Sequence, residues 1–259
     1  MSLKNRVAIV TGGIQGNGFG IVEALLDKGA KVAIFDMNDP GEVVEKLKSQ
    51  GHDVIGFQAD VTDKTMLKEC TKGTFDHYGR IDILVNNAGI LIYRPFVEFT
   101  DEERDKQFNV NINGAWNTSQ CVVPYMIEAG YGRIVSVGSI TGGYVGDAES
   151  IGYGTSKAAV TGFTKCLAVE LADKGITCNV ICPGFIHTNM VDSMANEMNP
   201  DNPQTVLDEF SKSLPVGRLG KPREIGELVA YLVSDEAAFV TGAEVVIDGG
   251  CVLPESKIL

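Results

Sequence analysis

The sequence predicts an α/β fold, a doubly wound sheet of seven parallel strands with helices on both faces. Three observations carry the prediction. Short runs rich in Val, Ile and Leu recur along the chain, segments of helical periodicity lie between them, and the connections are short. Strands that alternate with helices in this way are joined by crossovers and lie parallel. The runs are almost continuously apolar, which suits strands covered on both faces.

Strands are expected at residues 6–10, 31–35, 54–58, 81–85, 133–137, 177–181 and 245–247. Helices are expected at 21–28, 42–50 and 64–78, as one long stretch over 101–129, and at 153–174. Residues 188–214 break the rhythm with Pro200, Pro203 and several Asn and Asp, and read as an insertion over one edge of the sheet. No repeat, low-complexity stretch or linker divides the 259 residues, so one domain over 1–259 with a lid at about 188–214 is expected.

Charge and cysteine usage narrow the function classes. The net charge is −12 and the pI about 4.7, so nucleic acid and anionic membrane surfaces are poor partners. No apolar stretch reaches the length of a membrane span, and the N-terminal apolar run is too short for a signal segment. The six cysteines form no C-x-x-C pair, and His52, His77 and His187 form no ligand-like cluster, so no metal site is expected. A cytoplasmic protein with reduced thiols is the expectation.

The first strand runs into Thr11-Gly12-Gly13-Ile14-Gln15-Gly16-Asn17-Gly18, and a helix follows. Gly12, Gly16 and Gly18 allow a tight turn and close approach of a pyrophosphate, while the helix N-terminus presents free N–H groups and a positive dipole end. Strand, loop and helix together predict a Rossmann-type dinucleotide site. The second strand leads into Asp36, whose carboxylate suits the adenosine ribose hydroxyls and repels a 2′-phosphate. Its neighbours include Ile14, Gln15, Asn17 and Met37 and no Arg or Lys, so NAD(H) is expected over NADP(H). Asp60-Val61 and Asn86-Asn87-Ala88-Gly89 follow the third and fourth strands, at the carboxyl edge where open sheets bind ligands. Asn86 reads either as part of that edge or as a residue that stabilises the sheet.

Tyr153 and Lys157 stand four apart, on one face of an expected helix. A free phenol titrates near 10, too high for proton exchange at neutral pH, and a nearby ammonium favours the phenolate. The ordered set of the 11–18 loop, Asp60, Asn86-Asn87-Ala88-Gly89, Asn111, Ser139, Tyr153, Lys157 and Pro183-Gly184 resembles the short-chain dehydrogenase/reductase family, single-domain branch, over essentially the whole chain. The resemblance implies that Tyr153 is the general acid in reduction and the general base in oxidation. It implies that Lys157 lowers the tyrosine pKa and holds the nicotinamide ribose, that Ser139 binds the substrate oxygen, and that Asn111 supports a water relay. Pro183 and Gly184 would start a loop on the nicotinamide, with Ile186 and Thr188 at the carboxamide, and the chain would assemble as a homotetramer. Ser139 precedes Tyr153 by 14 positions, one more than the family pattern, which leaves Thr141 as a second candidate for the substrate oxygen.

In the insertion, Met190, Val191, Met194, Met198, Val206, Leu207 and Phe210 fall at roughly helical spacing. They read either as cover for the sheet or as a mobile lid that excludes water. Tyr144, Val145, Phe185, Met190 and Met194 are expected to line an apolar substrate pocket, with Arg94 the one cation at its mouth able to pair with a carboxylate. The lid, and the tail from Asp248-Gly249-Gly250 to Leu259, resemble members active on sugar acids, polyols, small diols or hydroxysteroids. The expected activity is NAD(H)-dependent interconversion of a secondary alcohol and a ketone, on a hydroxysteroid or a sugar acid or polyol. A 3-oxoacyl-carrier-protein reductase ranks lower, because it needs a basic docking patch and NADPH. A non-catalytic dinucleotide sensor or scaffold is the alternative of another class.

Overall fold

The computed structural model describes residues 1–253; residues 254–259, the end of the tail read above, lie outside the described residues. The strands are β1 (Val7–Thr11), β2 (Lys31–Asp36), β3 (Val54–Gln58), β4 (Ile83–Asn86), β5 (Gly132–Val137), β6 (Ile176–Pro183) and β7 (Glu244–Ile247). They pair in parallel in the order β3-β2-β1-β4-β5-β6-β7. The helices are α1 (Gly16–Asp27), α2 (Gly41–Ser49), α3 (Lys64–Tyr78), α4 (Asp101–Phe108), α5 (Gly114–Ala129), α6 (Ile151–Leu171), α7 (Asn189–Met198), α8 (Pro203–Ser213) and α9 (Pro222–Leu232).

Alternation along the strands feeds two cores. Ala8, Val10, Val32 and Ile34 point to a face covered by Ile21 and Leu25 of α1, Leu47 of α2 and Val229 of α9. Ile9, Ala33, Leu84 and Ile134 point to the other, covered by Leu67 of α3, Val122 and Met126 of α5 and Ala168 of α6. Both faces are therefore buried, which is why the strands read as unbroken apolar runs.

Three features differ from the expectation. The long helix over 101–129 is interrupted: α4 and α5 are joined by a π-helical turn, Asn109–Asn113. Thr100 and Glu103 begin α4 with reciprocal side-chain to backbone hydrogen bonds of 3.1 and 3.2 Å. The second difference is α9, which the periodicity did not reveal because Gly226 sits at its centre and glycine is a poor helix former. The structure explains that glycine: α1 and α9 cross so closely that a Cβ on Gly226 would collide with Gly20 O, and one on Gly20 with Pro222. Third, the insertion is not irregular. It holds α7 and α8, and Phe210 of α8 stacks on Phe185 at 4.6 Å between ring centroids.

The strand order places β1 between β2 and β4, so the chain reverses its direction of travel across the sheet at β1. A crevice opens there beyond the carboxyl ends of the strands, where sheets of this kind bind ligands.

Candidate active site

A cavity of about 430 Å³ runs along that crevice from Asp36 past the glycine loop to Ser139, Tyr153 and Lys157. Every cofactor residue anticipated from the sequence lines it. Gly12 and Gly16 take φ values of +64° and +52°, the left-handed region open to glycine at little cost. The loop is clamped from behind: Asn87 Nδ2 donates to Thr11 O and Gly12 O at 2.9 and 3.0 Å, and Asn87 N and Ala88 N donate to Thr11 Oγ1 at 3.0 Å. The Asn87 side chain thus builds the loop. Asn86 belongs to the sheet, since its buried amide donates to Ser119 Oγ at 2.9 Å.

At the far end of the cavity, Asp36 closes β2. Its carboxylate accepts from Asn38 N at 3.1 Å and Ile14 N at 3.4 Å, which leaves acceptor capacity for ribose hydroxyls. Asp60 is held by its own turn, accepting from Thr62 N and Thr62 Oγ1 at 2.8 Å. The residues fit a dinucleotide. Asn17 Oδ1 is buried on the cavity wall with no hydrogen-bond partner, and an amide offers a donor or an acceptor by turning over. At Gly89 a Cβ would approach Asn111 Oδ1 at 3.3 Å and Lys157 Nζ at 3.5 Å, so a side chain there would fill the cradle.

Tyr153 and Lys157 lie one turn apart near the start of α6. Lys157 Nζ stands 5.6 Å from the centroid of the Tyr153 ring and donates to Val137 O at 2.8 Å. Burial lowers the Lys157 pKa to about 8. Burial raises that of Tyr153, a hydrogen bond from Ser139 opposes the rise, and the neighbouring Cys182 adds to it. The lowering of the tyrosine by its lysine, implied by the spacing, is not what dominates in the chain by itself. Burial strips both groups of water, and the ammonium is turned to a carbonyl.

Ser139 lies on the cavity wall, and its Oγ accepts from Thr141 N at 3.1 Å. The hydroxyl of Thr141 is engaged elsewhere, donating to Asp147 Oδ2 at 2.7 Å. Asn111 sits behind the wall at the π turn. Its Oδ1 accepts from Ile90 N at 2.8 Å, and its Nδ2 donates to Ile90 O and Ser156 Oγ at 2.9 Å. The π turn brings Asn111 to α6 and to the loop after β4 at once, and such turns recur at functional sites.

A second cavity, of about 590 Å³, adjoins the first and shares Gln15, Gly89, Ile90, Asn189 and Met190 with it. Met190, Met194 and Arg94 line it, but Tyr144, Val145 and Phe185 line neither cavity. The loop after β5 folds back through a Gly142 N to Val145 O hydrogen bond of 2.9 Å, packing Val145 beside Val180 and Cys182 and leaving Tyr144 exposed beside Glu244. Phe185 is occupied by its stack on Phe210. Arg94 is not a free cation: its Nε and Nη2 donate to Glu103 Oε1 at 3.1 and 3.0 Å. Sequence reasoning missed Tyr93, Asn189 and Glu197 on these walls, as well as Lys106. For Glu197 the signal was available, because positions 190, 194 and 197 share a face of α7.

The site is a cavity at the switch point of a Rossmann-type sheet, running from the glycine loop to Tyr153 and Lys157. Comparison with known proteins gives its kinship. A family model described as enoyl-(acyl carrier protein) reductase matches residues 12–252. Oxidoreductase UcpA of Salmonella typhimurium is 43% identical over 255 residues, covering 98% of this chain and 97% of the relative. The 3-oxoacyl-[acyl-carrier-protein] reductase FabG of Thermotoga maritima is 36% identical over 255 residues, covering 98% and 100%. The solved aldohexose dehydrogenase of Thermoplasma acidophilum superposes with a TM-score of 0.91 at 33% identity, covering 99% of this chain and 97% of that one. The chain belongs to the short-chain dehydrogenase/reductase family.

Proposed function

We propose that the protein is an NAD(H)-dependent oxidoreductase interconverting a secondary alcohol and a ketone. The observation that carries this reading is one continuous cavity with Asp36 at one end and Ser139, Tyr153 and Lys157 at the other. A nicotinamide dinucleotide held there would supply or accept the hydride. Asp36, beside Met37 and Asn38, would take the ribose hydroxyls and oppose a 2′-phosphate. Lys157 would hold the second ribose and carry positive charge toward Tyr153. Tyr153 Oη would give a proton to the carbonyl oxygen in reduction and remove it from the hydroxyl in oxidation. Ser139 would donate to the same oxygen. Asn111 positions the loop at Ile90 and the start of α6, and so the lysine. Residues 188–214 would serve as the lid, tied to the glycine loop by the 3.0 Å bond from Asn189 Nδ2 to Gln15 Oε1.

A homotetramer in the cytoplasm is part of the same reading. Trp116 of α5, tilted against Phe163 of α6, and Val169 of α6 are exposed and offer apolar surface for assembly. Similarity to FabG keeps carrier-bound acyl ketones in the screen, with NADPH as their test. The decisive experiment follows NADH consumption against ketone classes with wild type and Tyr153→Phe. Turnover should fall by at least about a hundredfold in the variant while NADH binding persists. Undiminished turnover would refute the assignment.

A further inference from the structure

The second cavity is lined mainly by uncharged side chains. One wall is Leu91, Ile92 and Tyr93; the other is the face of α7 that carries Met190, Met194 and Glu197. The two walls touch where Tyr93 Oη meets Met194 Sδ at 3.8 Å. Most of this lining is apolar or uncharged, and its only charged members are Arg94 and Glu197.

Those two charges are not equivalent. Arg94 is neutralised by Glu103, and that carboxylate is itself fixed, since its second oxygen accepts from Thr100 N at 3.2 Å in the first turn of α4. Glu103 thus offsets the Arg94 charge and takes two of its donors, so an incoming carboxylate that approaches the guanidinium also meets the carboxylate of Glu103. Glu197 is exposed, makes no ion pair among the described residues, and lies near enough to Tyr93 and Arg94 to act on both electrostatically. Asp147 also acts on Tyr93 electrostatically. Lys157 belongs to the first cavity and is turned to Val137 O. Lys106 also lines the first cavity and not the second. The lining of the second cavity is therefore net negative once the Arg94 charge is offset by Glu103.

We propose that Glu197, together with the Arg94 charge offset by Glu103, makes this an enzyme for uncharged alcohols and ketones, with carboxylate-bearing substrates disfavoured at the cavity. This rests on the oxidoreductase reading above and chooses between its substrate classes: a neutral steroid-like or polyol substrate rather than a sugar acid. It also disfavours the phosphate-bearing arm of an acyl carrier. Like charge placed against like charge is a means of rejection.

The test offers a panel of ketones, each as the carboxylate and as its methyl ester, with NADH and with NADPH. It reads kcat/KM, and separately the thermal stabilisation of the protein by each ligand. Wild type should favour the esters by about tenfold, the effect of one unpaired charge at short range in a medium between water and protein. Glu197→Lys should narrow or invert that ratio, and Glu103→Gln, which frees Arg94, should shift it the same way. Both substitutions are at surface-accessible positions, and the unchanged Tm of each ligand-free variant checks the fold. A preference for the carboxylates, equal or absent responses to both members of each pair, or a ratio that neither substitution moves would overturn the proposal. Ester-selective stabilisation with no turnover of any ketone would sink the oxidoreductase reading and leave the charge selection standing.

Discussion

Replacing Lys157 with Met should make the ligand-free protein more resistant to urea at neutral pH, and the advantage should shrink as the pH rises. Burial brings the Lys157 amine from 10.5 to about 8. The unfolded chain therefore holds that proton more tightly than the folded one. Below about pH 8 both states are charged and the folded state bears the full cost of a buried ammonium. From about pH 8 to about 10.5 the folded amine sheds its proton first, so wild-type stability rises through this window. The shift corresponds to about 3 kcal/mol at pH 7, of which about 1 kcal/mol is recovered by about pH 9. The hydrogen bond to Val137 O is lost in the variant at a cost of about 1 kcal/mol, an amount nearly independent of pH because the neutral amine also donates. The variant should then be ahead by about 2 kcal/mol at pH 7 and by about 1 kcal/mol at pH 9. Urea midpoints for both proteins across that range, with m-values compared, measure the gap. A gap that stays constant or widens with pH would refute the reasoning, because it would mean that the folded site does not disfavour the ammonium.

Three further outcomes follow from the same geometry. Asp36→Ala should reduce the preference for NADH over NADPH by roughly tenfold or more, the worth of hydrogen bonds to a charged acceptor, and unchanged kinetics for both cofactors would remove Asp36 from the site. Ser139→Ala should lower kcat by roughly a hundredfold and Thr141→Ala by a few-fold at most, since the Thr141 hydroxyl is spent on Asp147; the reverse order would exchange their roles. Gly226→Ala should destabilise the protein by about 1–3 kcal/mol through overpacking against Gly20, lowering Tm by roughly 5 °C, while cofactor affinity per folded molecule stays unchanged.

The strands were legible because burial on both faces leaves them almost purely apolar, and that signal survives without any knowledge of partners. The glycine loop was legible for a related reason: its left-handed turns at Gly12 and Gly16 restrict the residue type. Asp36, Tyr153 and Lys157, singled out from the sequence, come together on one cavity. What escaped was whatever depends on a neighbour distant in sequence. The helix α9 is paired through glycines that make sense only once α1 lies against it. The ion pair that Arg94 makes was not visible either, because Glu103, fixed by a helix cap, reaches it across the loop. Tyr144, Val145 and Phe185 had the chemistry of a pocket lining, but the fold-back after β5 and the stack on Phe210 commit them to other contacts. The helix over 101–129 was correctly helical yet wrongly continuous, since a π turn leaves no mark on apolar periodicity over five residues.

That turn makes chain length a hidden variable of the site. A π turn holds one more residue than the helix around it needs, and each residue in a helix advances the next by about 100°. Deleting a single residue between Asn109 and Asn113 would relax the segment into an unbroken helix that is locally more regular. It would also swing either Asn111 or the whole buried face of α5 away from its partners. Substitutions along this stretch can be judged one side chain at a time, but a one-residue gap cannot, because it sets the packing of α5 against the sheet in opposition to the grip on Ile90 and Ser156. The register of this segment is thus a constraint on how the sequence can vary, one that no individual residue in it carries.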